Sequence, residues 1–369
     1  MISQALRQFA SLALAILLTG CTDTEPKFHD SGNPLRLSAW NLFSLSDEAL
    51  SPAESSLVFR PANQLFTDYA QKLRTMWIPP GAQAQLIENE IDYPVGTILS
   101  KTFYYPQDQD GNYLRQDTGT DDQVRLSNNR LLETRLLVKR KTGWTAFPYV
   151  WNDEQNEAFL RVAGASLPSS LKNDTENLRF TYFVPNENQC AGCHVTSHPD
   201  GAMHPLGAVF SQLSSPLHEF DNATSQIETL RAKAWLAEGP TPQHTPSWTD
   251  GNKALDLRAT AYLNIHCGHC HNPEGVADTS ALILDGSPAP PLHRGVCKPP
   301  VAAGSGAGDR FFSIVPGAPE RSILLFRMQS SEPDAMMPEL GRSLIHREGI
   351  DLISQWIAEM PGTCQPDSN

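Results

Sequence analysis

Basic residues are scarce in this chain: 28 Lys and Arg stand against 41 Asp and Glu, a net charge of −13 over 369 residues. Nucleic-acid binding needs a basic face that replaces phosphate counterions, so this balance argues against such a partner. Long apolar runs are also lacking, and no segment after residue 18 is apolar enough to cross a bilayer. No phosphate-cradling glycine loop is present. The nearest approach, "GSGAG" at 304–308, follows no strand and leads into no helical pattern, so it reads as a flexible loop. Cysteine is sparse, at seven residues, and that scarcity gives its spacing meaning.

The length favours two domains over one hydrophobic core. At the N-terminus, Arg7 precedes the apolar run "FASLALAILL" (9–18), and "TGC" follows, ending at Cys21. A charged start, a short apolar stretch and small residues make an export signal. "LTGC" resembles the bacterial lipoprotein signal, and the resemblance implies cleavage before Cys21 and acylation of that cysteine. Thr22 after it, in place of Asp, resembles the outer-membrane sorting pattern. The expectation is a signal peptide at 1–20, a tether at 21–35 and a lipid-anchored protein facing the periplasm. An ordinary secretory signal is the alternative.

From about 36 to 185, strand signals dominate: "TILSKTFYY", "RLLETRLLVKR", "GWTAFPYVWN" and "NLRFTYFVP", separated by turn clusters such as "QDQDGN". Thr134, Leu136 and Val138 alternate, which predicts a sheet with one solvated face. The region is expected to be an all-β domain, sandwich- or jelly-roll-like. Beyond it, "SQIETLRAKAWLAEG" has helical spacing up to Gly239, followed by a Pro/Thr-rich linker. The remainder, 251–369, reads as mainly α. One helix (Leu255, Ala259, Tyr262, His266) runs into a cysteine motif, and a last amphipathic helix carries Ile350, Ile353, Trp356 and Ile357.

Two segments carry the chemistry. "QCAGCH" ends at His194 and "HCGHCH" at His271, and both contain Cys-x-x-Cys-His. Haem attachment uses all three fixed positions: two thiols add to the vinyl groups, and the histidine binds the iron. Cys190, Cys193, Cys267 and Cys270 are therefore the expected attachment sites of two haem c groups, with His194 and His271 as proximal ligands. A four-thiolate zinc site would leave the identical histidines unused, and a redox pair would want a single motif in a βαβ setting. In an oxidising compartment the two leftover cysteines, Cys297 and Cys364, are expected to pair.

The surroundings of the second motif resemble a class I c-type cytochrome, with a helix before the motif, a long loop, "MMPELG" and a terminal helix. That resemblance implies Met337, directly before proline, as the distal ligand, with Met336 as the alternative. For the first haem the distal candidates are Met203 or His204 in "HPDGAMHPLG", with His198 and His218 nearby, and an open iron stays possible. From "FTDYAQKLRTMWIPPG" through "FVPNENQCAGCH" to "AMMPELG" the chain resembles a family of bacterial dihaem c-type cytochrome lipoproteins with no established reaction. The resemblance implies a β-rich N-terminal part and a cytochrome c-like C-terminal domain at 251–369, with 186–250 carrying the first haem.

These features point to an electron carrier between a periplasmic donor, such as a dehydrogenase, and a respiratory acceptor. The alternatives are a haem enzyme, peroxidase-like at an open first haem, and a binding module using Trp40, Trp77, Trp144 or Trp151 as platforms.

Overall fold

The computed structural model describes residues 25–364 apart from 89, 117–121, 174–175, 218–223, 242 and 302. Cys21, the signal peptide, the start of the tether and His218 lie outside the described residues. No helix among those described is long and apolar enough to cross a membrane.

Strands dominate the N-terminal part. The main sheet is antiparallel and six-stranded: β1 (Leu57–Val58), β2 (Gln71–Trp77), β3 (Ile98–Pro106), β4 (Asn129–Arg140), β5 (Gly143–Trp151) and β6 (Ala158–Leu160). They lie side by side in chain order, from β6 to β1. β4 and β5 form a hairpin in which Arg140 faces Gly143. Gly143 has φ +118, which only glycine adopts without strain.

Both faces of this sheet are covered, contrary to the solvated face expected from the alternation. One face carries Leu73, Trp77, Ile98, Leu136, Val138, Phe147 and Tyr149 and packs against Trp40, Leu42, Leu50 and Val124. There Trp40 Nε1 donates to Tyr149 Oη at 2.7 Å, so the buried indole is satisfied. The other face carries Met76, Leu99, Leu137, Trp144 and Ala146, against Phe210, Leu213, Ile227 and Leu230 from the segment after the first motif. Farther along the same face, a hairpin of β7 (Ala165–Lys172) and β8 (Asn177–Val184) packs Leu171, Tyr182 and Val184 on Phe103, Tyr105 and Leu132. The period-2 pattern of β4 is real, but its second face is filled by chain distant in sequence. A bulge between Leu131 and Glu133 shifts the register by one residue, which puts Leu131 with the first face and Leu132 with the second.

Helices follow: α1 (Glu187–His194), α2 (Gln226–Ala232), α3 (Leu255–Leu263), α4 (Ile323–Gln329) and α5 (Arg347–Glu359). α2 stops well short of Gly239, because Ala234 turns left-handed at φ +57. α3, α4 and α5 share a core of Tyr262, Leu263, Leu325, Met328, Ile353, Trp356 and Ile357. α5 comes so close to α3 that a Cβ on Gly349 would meet Tyr262 Oη at 2.0 Å, so only glycine fits the crossing. Cys297 and Cys364 are disulfide-bonded, with Cα atoms 5.2 Å apart, and tie the long loop to the chain after α5. The β-rich and helical parts meet at 66–69: Asp68 Oδ1 accepts from Ser343 N at 2.7 Å and Leu344 N at 2.6 Å.

Candidate functional site

The first motif lies on α1. Pro185 ends β8, and Asn186 caps the helix in a reciprocal capping box with Gln189. Cys190 and His194 are four residues apart and Cys193 three from Cys190, so all three project from one side of the helix. The second motif follows α3 through a widened π-turn at Asn264–Gly268. His271 N then donates to Cys267 O at 2.8 Å, so Cys267 and His271 are again one turn apart. Gly268 in the motif is required by packing, since a Cβ there would lie 2.6 Å from Asp285 Cα.

The two histidines are held alike. His194 Nδ1 lies 2.7 Å from His204 O, a carbonyl that can only accept, so the ring proton sits on Nδ1 and Nε2 keeps its lone pair. His271 Nδ1 lies 3.0 Å from Ser280 Oγ. Ser280 in turn donates its hydroxyl proton to Ala277 O at 2.7 Å, so its oxygen is the acceptor for His271 and Nε2 is again free. Burial, the largest cause, lowers both imidazoles to about 4, so both are neutral at pH 7. His194 is half-buried and lines a cleft. His266 is different. Its Nδ1 faces Tyr262 O at 2.8 Å and its Nε2 accepts from Phe66 N at 3.0 Å, which makes it a structural histidine.

The motifs touch each other. His198 N donates to Glu274 O at 2.9 Å, and Ser197 Oγ to the Glu274 carboxylate at 2.6 Å. Cys193 Sγ, Cys270 Sγ and a ring nitrogen of His269 lie within 4.8 Å of one another. The sulfur contact lowers the pKa of Cys193 and raises that of Cys270. Cys190 and Cys267 stand outside this group, and burial pushes their thiols up to about 11 and about 12. The four sulfurs are therefore not gathered into one tetrahedral site.

Cys190, Cys193 and His194 open, with Cys267 and His269, onto one cleft with about 1660 Å³ of empty space, part of it open to solvent. Met337 lines this cleft, whereas its neighbour Met336 is buried and borders a second cleft. The Met337 backbone is fixed by Arg327 O, which accepts from its N–H at 3.0 Å, and by Arg342, which donates to its carbonyl at 2.8 Å. The sequence-level candidates Met203 and His204 do not line the cleft. Met203 packs against the apolar cluster under the main sheet, and the His204 backbone sits behind His194, at the Nδ1 edge. Three wall groups went unread in the sequence: His346, Met328, and a set of basic residues on the main sheet, Arg74, Lys101 and Arg135. Only the strand register brings the last three together.

No protein-family model, no curated protein and no solved structure matches this chain.

Proposed function

We propose that the chain is a dihaem c-type cytochrome that carries single electrons between protein partners. The observation that supports this most is the paired histidine geometry. Cys190, Cys193 and His194 of the first turn and Cys267 and His269 of the second line one cleft, while Cys270 and His271 do not line it. Each turn ends in a neutral imidazole whose Nδ1 is bonded and whose Nε2 keeps its lone pair. That is the tautomer an iron-binding histidine needs, oriented by a second hydrogen bond. Cys190 and Cys193 would tether one haem and Cys267 and Cys270 the other, with His194 and His271 as proximal ligands. Met337, clamped by Arg327 and Arg342 at the cleft wall, is the distal ligand proposed for the second. Bound there, the two haems would supply one-electron exchange between ferric and ferrous iron. The chain's own groups hold the imidazoles neutral and keep the sulfur-bearing residues Cys190, Cys193 and Cys267 at the cleft.

The close crossing of α3 and α5 at Gly349 and Tyr262, with the motif directly after α3, supports a cytochrome c-like reading of 251–369. The hairpin stacked on the main sheet supports a sandwich-like reading of 36–185. The proposed setting is the periplasm, with lipid on Cys21 anchoring the chain to the outer membrane, and a redox donor and acceptor as partners.

One observation favours a second reading, a haem enzyme at the first site: neither Met203 nor His204 lines the cleft beside His194. Visible spectra of the full chain, matured in a haem-attaching host, test both readings. Reduced c-type bands that carbon monoxide leaves unchanged fit the carrier. A carbon monoxide shift at one haem fits an open first site. Absence of c-type bands, with zinc bound near Cys193, His269 and Cys270, would contradict both.

A further inference from the structure

The face of the main sheet that looks into the cleft carries a transverse row of three cations. Arg74 on β2 lies directly opposite Lys101 on β3, and Lys101 lies directly opposite Arg135 on β4. Like charges placed opposite one another across strands destabilise a sheet. The next row on the same face shows the ordinary solution, Met76, Leu99 and Leu137, all apolar.

The charges of the row are poorly compensated. Arg135 is held by Glu133 through two hydrogen bonds of 2.8 and 2.6 Å, and the fully buried Glu133 also accepts from Tyr182 at 2.6 Å. Arg74, 5 % exposed, reaches one neutral acceptor, Gln64 Oε1, at 3.1 Å. Lys101 makes no hydrogen bond and no ion pair among the described residues, and Glu133, the carboxylate that acts on it, is already bonded to Arg135 and Tyr182. Its ammonium stands 4.9 Å from the centre of the Phe103 ring, a ring it shares with Arg135 and with Lys72. Among the described residues, the hydrogen bond of Lys72 goes to Ala70 O, at 3.0 Å. Asp68, the other carboxylate nearby, is taken by the Ser343 and Leu344 amides. The basic groups here thus outnumber the two carboxylates, and Asp68 also faces Arg342. Burial lowers Lys101 well below the usual lysine range and Arg74 to about 9, as expected for cations that lack counter-charges.

A row that strains the sheet, in a chain otherwise short of basic residues, is explained if it receives negative charge. Arg74, Lys101 and Arg135 all line the cleft that Cys190, Cys193 and His194 open onto. We propose that Arg74, Lys101 and Arg135 form a binding row for a dicarboxylate, with Lys101 at its centre. Two sources fit that chemistry: the paired propionates of a haem tethered at Cys190 and Cys193, and a free four-carbon dicarboxylate. The first source rests on the dihaem reading; the second does not.

The test uses the full chain from a haem-attaching host, as wild type, Lys101→Met, Arg74→Met and Lys101→Arg. Each is weighed by intact mass and melted with and without succinate. Lys101→Met removes a buried amine that makes no hydrogen bond, so without a ligand it leaves the midpoint unchanged or higher. If the row holds the cofactor's carboxylates, both Met variants melt several degrees lower in the haem-loaded chain, Lys101→Arg restores the midpoint, and succinate has no effect. If the ligand is free, succinate raises the wild-type midpoint saturably and the Met variants need at least tenfold more of it. Two haems by mass, with Met variants at or above the wild-type midpoint and no succinate response, would overturn the row alone. No haem but a succinate response would overturn the cofactor reading alone. No haem and no response would overturn both.

Discussion

The two Cys-x-x-Cys-His turns share their fixed residues and differ in nearly everything around them. The second is built into a helical core of its own: α3 delivers it, α5 crosses behind it, and a disulfide fastens the loop that follows. The first sits on one short capped helix at the end of a β-hairpin, and its walls are borrowed from the main sheet. Its imidazole is steadied by a backbone carbonyl, whereas the second relies on a serine hydroxyl. A methionine reaches the shared cleft from the helical side, and a row of cations reaches it from the sheet side. One short motif thus fixes the local donor geometry, while unrelated supports decide what else faces it. Redox tuning is expected to differ between the sites, because it depends on axial ligands, charge and burial beyond the motif.

The largest expected effect separates the two turns outright. Cys190→Ala/Cys193→Ala should remove one covalent haem and leave the second site's spectrum intact, as read by mass and absorbance. Loss of both haems would show that the turns depend on each other through the contact at Cys193 and Cys270.

Next comes the disulfide, which belongs to the second turn's support only. Cys297→Ser/Cys364→Ser opens a closure of 67 residues, worth about 4 kcal/mol on the chain-entropy account. Denaturant melts should show the helical part weakened. Hydrogen exchange in β2 to β5 should be unchanged, and equal loosening of those strands would break the comparison.

Gly349→Ala tests the helix crossing. The added methyl meets the Tyr262 ring, with its Cβ 2.0 Å from the hydroxyl oxygen. Overpacking of this kind costs about 1–3 kcal/mol. Tyr262→Phe on top of it should recover little, because the ring carbons are also within 2.6 Å.

The smallest effect lies at the junction of the two parts. Burial, the largest cause, raises Asp68 to about 6, against an ordinary value near 3.8. The folded chain therefore binds a proton there that the unfolded chain releases between about pH 4 and 6. Stability from this group is present at the acid end of that window and lost as pH rises through it. Asp68→Asn keeps an oxygen for the Ser343 and Leu344 amides and should remove that slope, as followed by melting midpoint against pH.

Much of this architecture was legible in the sequence because it is local. The strand runs, the amphipathic α5 and the entry of α3 into the second motif are properties of neighbouring residues. The pairing of Cys297 with Cys364 was legible by elimination. What could not be read depends on residues far apart. β4 alternates as a one-sided strand should, yet Phe210, Leu213 and Ile227 cover its other face. The spacing that suggested a helix to Gly239 overlooked Ala234, whose left-handed turn lets Trp235 N and Leu236 N both bond back to Leu230 O. Met203 and His204 are near His194 in sequence, but Met203 packs under the main sheet and the His204 carbonyl meets the Nδ1 edge of the His194 ring. Arg74, Lys101 and Arg135 look like three scattered surface charges until the register of β2, β3 and β4 aligns them.

The central claim, that both turns carry covalent haem, is tested most directly by intact mass of the full chain under denaturing conditions after maturation in a haem-attaching host. The account predicts a mass increase of two haems, falling to one when either turn loses its cysteines. An unmodified polypeptide mass, with stoichiometric zinc in the native protein, would contradict it.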